Sequence, residues 1–245
     1  MVATAEGMKP HRRLLSRQQV VRGALDYIDQ YGLEALSMHK LGATLGVRAM
    51  SLYKYVADKD DLLDGIVELL WTEIPDRPPE DWREAIRELA GSLRDLVHNH
   101  PNAAPLLTSR QGLLEHPLRV CDGVLGAMRD SGVPEHCAAA LLRTVFPYGI
   151  GYALAELALP ASPASGPCSE IALIRQISSL LSGDASDELV RTALLLCGEC
   201  DLPGQFQFGI ELMIRGLDSY MDGFVHGQLR TQAVATEGTD YVSGQ

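Results

Sequence analysis

Apolar residues recur at helical spacing along most of the chain, and the strict alternation that marks half-buried strands is nearly absent. Ser16 with Gln19 forms a capping-box pattern, and Val20, Ala24, Leu25, Ile28 and Tyr31 then line one face of a first helix that Gly32 stops. Ser37 can cap a second, short helix carrying Leu41 and Leu45, which Gly46 can end in the left-handed conformation. A third helix begins almost at once. Leu52 and Val56 form its inward face, and Arg48, Ala49, Met50, Ser51, Lys54 and Tyr55 occupy much of the remaining circumference. Asp58 with Asp61 opens a fourth helix, along which Leu62, Leu63, Ile66, Val67, Leu69 and Leu70 run to about Ile74. Pro75, Pro78 and Pro79 then break the pattern and place a domain boundary there, with the fourth helix packing on both sides of it.

Beyond the prolines, helical patterns recur over 80–99, 102–109, 113–131, 135–158, 169–182, 185–199 and 205–225. Pro147 falls inside the fourth of these, so a kink is expected there. The stretch 159–167, with its Pro, Ala, Ser and Gly residues, reads as a flexible connection. The predicted fold is therefore all-α: a basic mobile arm over 1–15, a three-helix domain with its connecting helix over 16–74, a larger helical bundle over 75–226, and a flexible tail over 227–245. No internal repeat is visible.

Composition adds a compartment and a charge asymmetry. With 46% apolar and 22% charged residues over 245 positions, the chain can bury a sizeable core without a staple. No run of about 18 consecutive apolar residues occurs, the first thirty residues lack a signal-peptide core, and five cysteines suit reduced thiols. A cytoplasmic protein with no membrane partner is expected. The net charge of -11 would by itself argue against nucleic acid. Residues 1–59, however, hold nine Lys and Arg against five Asp and Glu, a balance of +4 that leaves -15 on the rest. Only the N-terminal part is suited to phosphate.

Two short helices joined by a tight glycine turn over 37–55 have the architecture of a helix-turn-helix, although the same spacing also fits an ordinary helical corner. Ala24, Tyr31, Gly32, Leu36, Ser37, Leu41, Leu45, Gly46, Val47, Leu52, Tyr53, Val56, Lys59, Leu62 and Leu63 go further, and the run LGVRAMSLYKYVADKDDLL above all. On them, Ser16 to Leu70 resembles the DNA-binding domain of the tetracycline-repressor (TetR) family. Looser likenesses to that family's ligand-binding domain lie at His100 to Leu107, Tyr148 to Leu157 and FQFGIELMIRGL, Phe206 to Leu217.

The resemblance implies a homodimer presenting two recognition helices to a near-palindromic double-stranded operator, and release, most often of a repressor, by a small organic effector. It places Met50, Ser51, Lys54 and Tyr55 along the groove, Arg48 and Ala49 near the start of the recognition helix, and Ser37, His39 and Tyr53 against the DNA backbone, with Lys59 at the fourth helix's positive end. Tyr53 is also expected to hold the two helices together as a buried ring. His39 and Tyr55 depart from the residues frequent there, so the family's operator sequence does not transfer. In the second domain, Leu106, Arg110, Met128, Phe146, Tyr148 and Tyr152 are the candidate effector contacts; packing in a dimer interface is the competing role of the aromatic residues.

Other chemistry finds little support. Cys197 and Cys200 form a lone CxxC with no second pair, and the spacing of His98 and His100 puts them on different helical faces. There is no GxSxG and no phosphate-cradling glycine loop. No metal, cofactor or catalytic activity is expected. A helical adaptor that binds protein through its acidic domain is the remaining rival, and the basic N-terminal part argues against it.

Overall fold

A computed structural model describes residues 15–110, 114–158, 186–197 and 201–237. Residues 1–14 of the basic arm, the 159–167 connection, the helix expected over 169–182, Cys200 and the last eight residues lie outside them. Among the described residues the helices are α1 (Arg17–Tyr31), α2 (Met38–Thr44), α3 (Ala49–Leu52), α4 (Lys59–Trp71), α5 (Trp82–Asn99), α6 (Pro105–Ser109), α7 (Glu115–Asp130), α8 (Glu135–Ala158), α9 (Asp187–Cys197) and α10 (Leu202–Glu237), with one 3-10 turn at Leu33–Ala35. No strand occurs among them. Two compact units divide the chain: 1–73 with 100–117, and 74–99 with 118–245.

In the first unit the expected start and stop signals act as the sequence implies. Gln19 N donates to Ser16 Oγ at 3.2 Å and Ser16 N to Gln19 Oε1 at 3.0 Å, closing the capping box of α1. Gly32 ends α1 at φ 86°, and Gly46 follows α2 at φ 68°. Ser37 Oγ accepts from Lys40 N, and Asp58 Oδ1 from Asp61 N. Asp61 does not complete a box of its own, because its carboxylate accepts from Ala57 N at 2.7 Å and from the Arg17 guanidinium at 2.6 Å. Val20, Ala24, Leu25 and Ile28 of α1 meet Leu41, Leu52, Leu62 and Ile66 in a fully buried core. Each large side chain there contributes about 1.5–3 kcal/mol. Tyr31, expected on the inward face, is 56% exposed and rests against Tyr27 at 4.7 Å, because it is the last helical residue.

The stretch after His100 joins this unit, whereas a boundary at Pro75 would assign it to the other. The reason is a set of polar ties. His100 Nδ1 lies 2.8 Å from Asp29 and Nε2 lies 3.1 Å from Glu73, while Asn102 donates to Asp29 O at 2.9 Å. Arg110 donates to Asp60 O at 2.9 Å and binds the carboxylates of Asp60 and Asp64.

In the second unit α5 packs on α8 and α10. Trp82, Ile86, Leu89 and Leu93 face Leu141, Leu142, Val145 and Ile150 of α8 and Phe206, Ile210 and Ile214 of α10 in a common buried set. A Cβ on Gly149 would sit 3.1 Å from Leu93 Cβ, so α5 and α8 approach closely there. Helix α8 runs on through Pro147, and by length and composition it is apolar enough to cross a membrane. Many of its apolar residues are buried in the unit's core. Arginines at three positions of α5 pair with acids of the other two helices: Arg83 with Asp218, Arg87 with Glu211 and Arg94 with Glu156. Helix α10 continues to Glu237, past the expected end near 225 and into the stretch read as tail, since residues 228–237 contain no proline and several good helix formers.

Burial alone would raise the Glu156 carboxyl, but hydrogen bonds from Arg94 and His98 outweigh it and hold the group below the ordinary glutamate range. Its stabilising contribution is thus full above about pH 4.3 and lost as pH falls through the lowered folded-state value. In thermal unfolding from about pH 6 to pH 3, Glu156→Gln is expected to flatten the acid decline; parallel curves would contradict this.

Candidate nucleic-acid interface

The turn between α2 and α3 is built backbone on backbone. Val47 N donates to Gly42 O at 2.8 Å, and a Cβ on Gly42 would lie 2.9 Å from Val47 O and 3.0 Å from Ala49 N. Only glycine allows that approach, and the signal for it was a glycine inside a short helix, which sequence reasoning passed over. Helical hydrogen bonding in α3 stops at Leu52, and a turn carries the chain on, with Tyr55 N and Val56 N both donating to Leu52 O. Leu52 and Val56 are buried as expected and seat the element from below. From the far end, Arg17 donates to Tyr55 O at 3.1 Å while it holds Asp61, so α1, the end of the α3 turn and the start of α4 share one guanidinium. That pairing holds the Asp61 carboxyl below its ordinary range.

The outward side presents Arg48, Met50, Tyr53 and Lys54 exposed, with Ala49, Ser51 and Tyr55 half-buried. Met50 is 76% exposed and Tyr53 46%. Tyr53 is therefore not the buried ring expected between the two helices, where Leu41 and Leu52 are fully buried. Ser37 is half-buried, and its oxygen accepts the cap bond, which leaves its hydroxyl proton to donate. His39 is exposed on α2. Lys59, the first residue of α4, donates to Leu36 O at 3.0 Å and keeps further donors on its ammonium. Lys40, which sequence reasoning did not single out, caps the neighbouring carbonyl of Ala35 at 3.1 Å.

The six candidate effector contacts do not form one cluster. Leu106 and Arg110 lie in the first unit, where with Leu33, Lys59 and Leu63 they line an open cleft of about 570 Å³. The Arg110 guanidinium there is committed to Asp60 and Asp64. The other four lie in the second unit: Met128 is fully buried on α7 and Phe146 half-buried on α8. Tyr148 and Tyr152 donate their hydroxyls to Phe206 O and Leu202 O, each at 3.0 Å, and Phe206 stacks on Tyr148 at 5.4 Å. Gly209 makes room for the Tyr148 hydroxyl, which a Cβ would meet at 2.0 Å. Burial raises both phenols. Phe206, with the Arg94 guanidinium 5.4 Å from its ring, is the centre of this group and was missed as such. Among the described residues no three His, Cys, Asp or Glu side chains are arranged to hold a metal ion. The side chain of Cys197 lies outside the described set.

Removing the Gly42 contact gives a direct check. Gly42→Ala is expected to lower stability by about 1–3 kcal/mol, read from denaturant midpoints; an unchanged midpoint would contradict the close approach.

Residues 74–221 match the family model described as tetracyclin repressor-like, C-terminal domain. The chain is 32% identical over 145 residues to an HTH-type transcriptional regulator of Saccharopolyspora erythraea, covering 58% of this chain and 61% of that protein. It is 30% identical over 158 residues to the HTH-type transcriptional repressor DrrR1 of Streptomyces coeruleorubidus, covering 62% and 57%. The chain thus spans less than two thirds of the length of these curated relatives. Among solved structures, the Streptomyces coelicolor TetR family protein ActR in complex with actinorhodin superposes with a TM-score of 0.69 at 26% identity, over 84% of this chain and 98% of that one. With the family model matched over more than half its length, the chain belongs to the tetracycline-repressor (TetR) family.

Proposed function

We propose that the protein is a cytoplasmic transcriptional repressor that binds a near-palindromic operator as a homodimer and releases it when a small organic effector occupies its second unit. The observation that carries this reading is the outward side of α3, where Arg48, Met50 and Lys54 stand exposed on a backbone fixed by Gly42, in a chain whose net charge is -11. Cations placed there against the overall charge suit a phosphate-lined groove. Arg48 and Lys54 are the long donors for guanine or phosphate, Ala49, Ser51 and Tyr55 complete the groove side, and Ser37, His39, Tyr53 and Lys59 contact the DNA backbone. The repressor name of one relative and the ligand bound to ActR support the two halves of the proposal.

Effector contact is assigned to Met128, Phe146, Tyr148 and Tyr152, an apolar set whose phenols already bond within the protein, so the effector is chiefly apolar. Leu106 and Arg110 serve α4 instead. Dimerisation is assigned to α8 and α10, where Leu157, Phe208, Leu212 and Tyr220 expose 41–64% of their surface. The protein acts by binding, without turnover, and effector and operator weaken each other's binding by the same factor.

Selection of bound genomic fragments with the purified protein, followed by gel shift across a salt series, tests the reading; failure to enrich any fragment would overturn it. On the best fragment, Lys59→Ala is expected to weaken binding to all sequences and lower the salt slope by about one per protomer, with Lys59→Arg restoring it. An unchanged slope would remove Lys59 from the phosphate contacts. Phe208→Glu with Leu212→Glu is expected to give monomers in sedimentation velocity and to lose operator binding; a dimer that persists would place the interface elsewhere.

A further inference from the structure

On α3 the polar donors and the apolar side chain have separate tasks, and Met50 has no structural one. Leu52 and Val56 seat the element, and Ala49 is pinned at its backbone by Gly42, 3.0 Å from the glycine's would-be Cβ. Met50, 76% exposed, adds little to that packing. A single exposed apolar residue is ordinary on a protein surface. This one differs in lying, in sequence, between the exposed cations Arg48 and Lys54, neither of which is in an ion pair among the described residues. A thioether chain cannot donate a hydrogen bond and accepts one only weakly. On the edges of the bases in the major groove only one group is apolar: the C5 methyl of thymine.

We infer that Met50 is a specificity-determining residue that packs its side chain against the methyl of one thymine in each operator half-site. The inference rests on the repressor reading above and goes beyond it by naming a base. The cations bring α3 to the groove, and Met50 discriminates within it, because thymine offers a methyl where cytosine presents only a C5 hydrogen and its amino donor. Its flexible, polarizable chain fits the methyl without demanding a fixed rotamer.

The test uses the full-length protein and the fragment recovered by selection, with each thymine replaced in turn by deoxyuridine, which deletes the methyl and leaves base pairing intact. Wild-type protein is expected to lose about fourfold in affinity per half-site at one symmetric position, the worth of one buried methyl group. Met50→Ala and Met50→Gln should bind the thymine and uracil fragments alike, and circular dichroism matching the wild type would confirm their fold. If both variants keep the full uracil sensitivity, or if no position is sensitive while the fragment still binds with steep salt dependence, the assignment of Met50 is wrong and the repressor reading survives. If no fragment is bound at all, both fail.

Discussion

At Gly42 the backbone of α2 touches the backbone that opens α3, with no side chain between them. Everything the interface presents depends on that contact. A four-residue helix has almost no stability of its own, since forming the first turn is the unfavourable step. It holds its place because the chain before it is bonded to Gly42 O, Leu52 and Val56 are buried beneath it, and Arg17 grips the carbonyl of Tyr55 at its far end. The same guanidinium reaches Asp61, so α1, α3 and α4 are fixed to one another beside the proposed interface.

Charge is arranged with similar economy. Helix α4 carries Asp60, Asp61, Asp64 and Glu68, a series that would repel phosphate close to Lys59 if left exposed and unpaired. Each is engaged from elsewhere in the first unit: Asp61 by Arg17, Asp60 and Asp64 by Arg110, and Glu68 by the backbone amide of His116. Asp60, Asp64 and Glu68 thereby bind the segment after His100 to α4, and Arg17 and Arg110 offset part of the charge of Asp60, Asp61 and Asp64 where phosphate would come near. Lys40 and Lys59 meanwhile cap the successive carbonyls of Ala35 and Leu36 at the end of the 3-10 turn and keep donors for an incoming anion.

Much of the architecture was legible because it rests on local rules. The Ser16 box, the Ser37 cap, the left-handed Gly46 and the apolar faces of α1 and α4 each involve residues a few positions apart, and the resemblance of LGVRAMSLYKYVADKDDLL gave the interface its orientation. What escaped reading is long in sequence or polar in kind. Arg17 and Asp61 are 44 positions apart, and Arg110 and Asp64 are 46 apart, and apolar periodicity says nothing about such pairs. That is why the ties of residues 100–117 to the first unit were not visible in the sequence. The aromatic group misled differently. Tyr148 and Tyr152 were visible as rings with hydroxyl handles, but Phe206 O and Leu202 O, which take those handles, lie 58 and 50 residues further on in a later helix. Tyr53 is the converse case, a ring expected to be buried that stands exposed while Leu41 and Leu52 are fully buried.

On the proposed reading, two copies of α3 dock symmetrically in the major groove. Hydroxyl-radical footprinting of the selected fragment tests it most directly. Two protected half-sites of mirrored sequence are expected, centred about one helical turn, or a whole number of turns, apart on one face of the duplex. A single unbroken patch without internal symmetry, or protection that follows no preferred sequence, would contradict it.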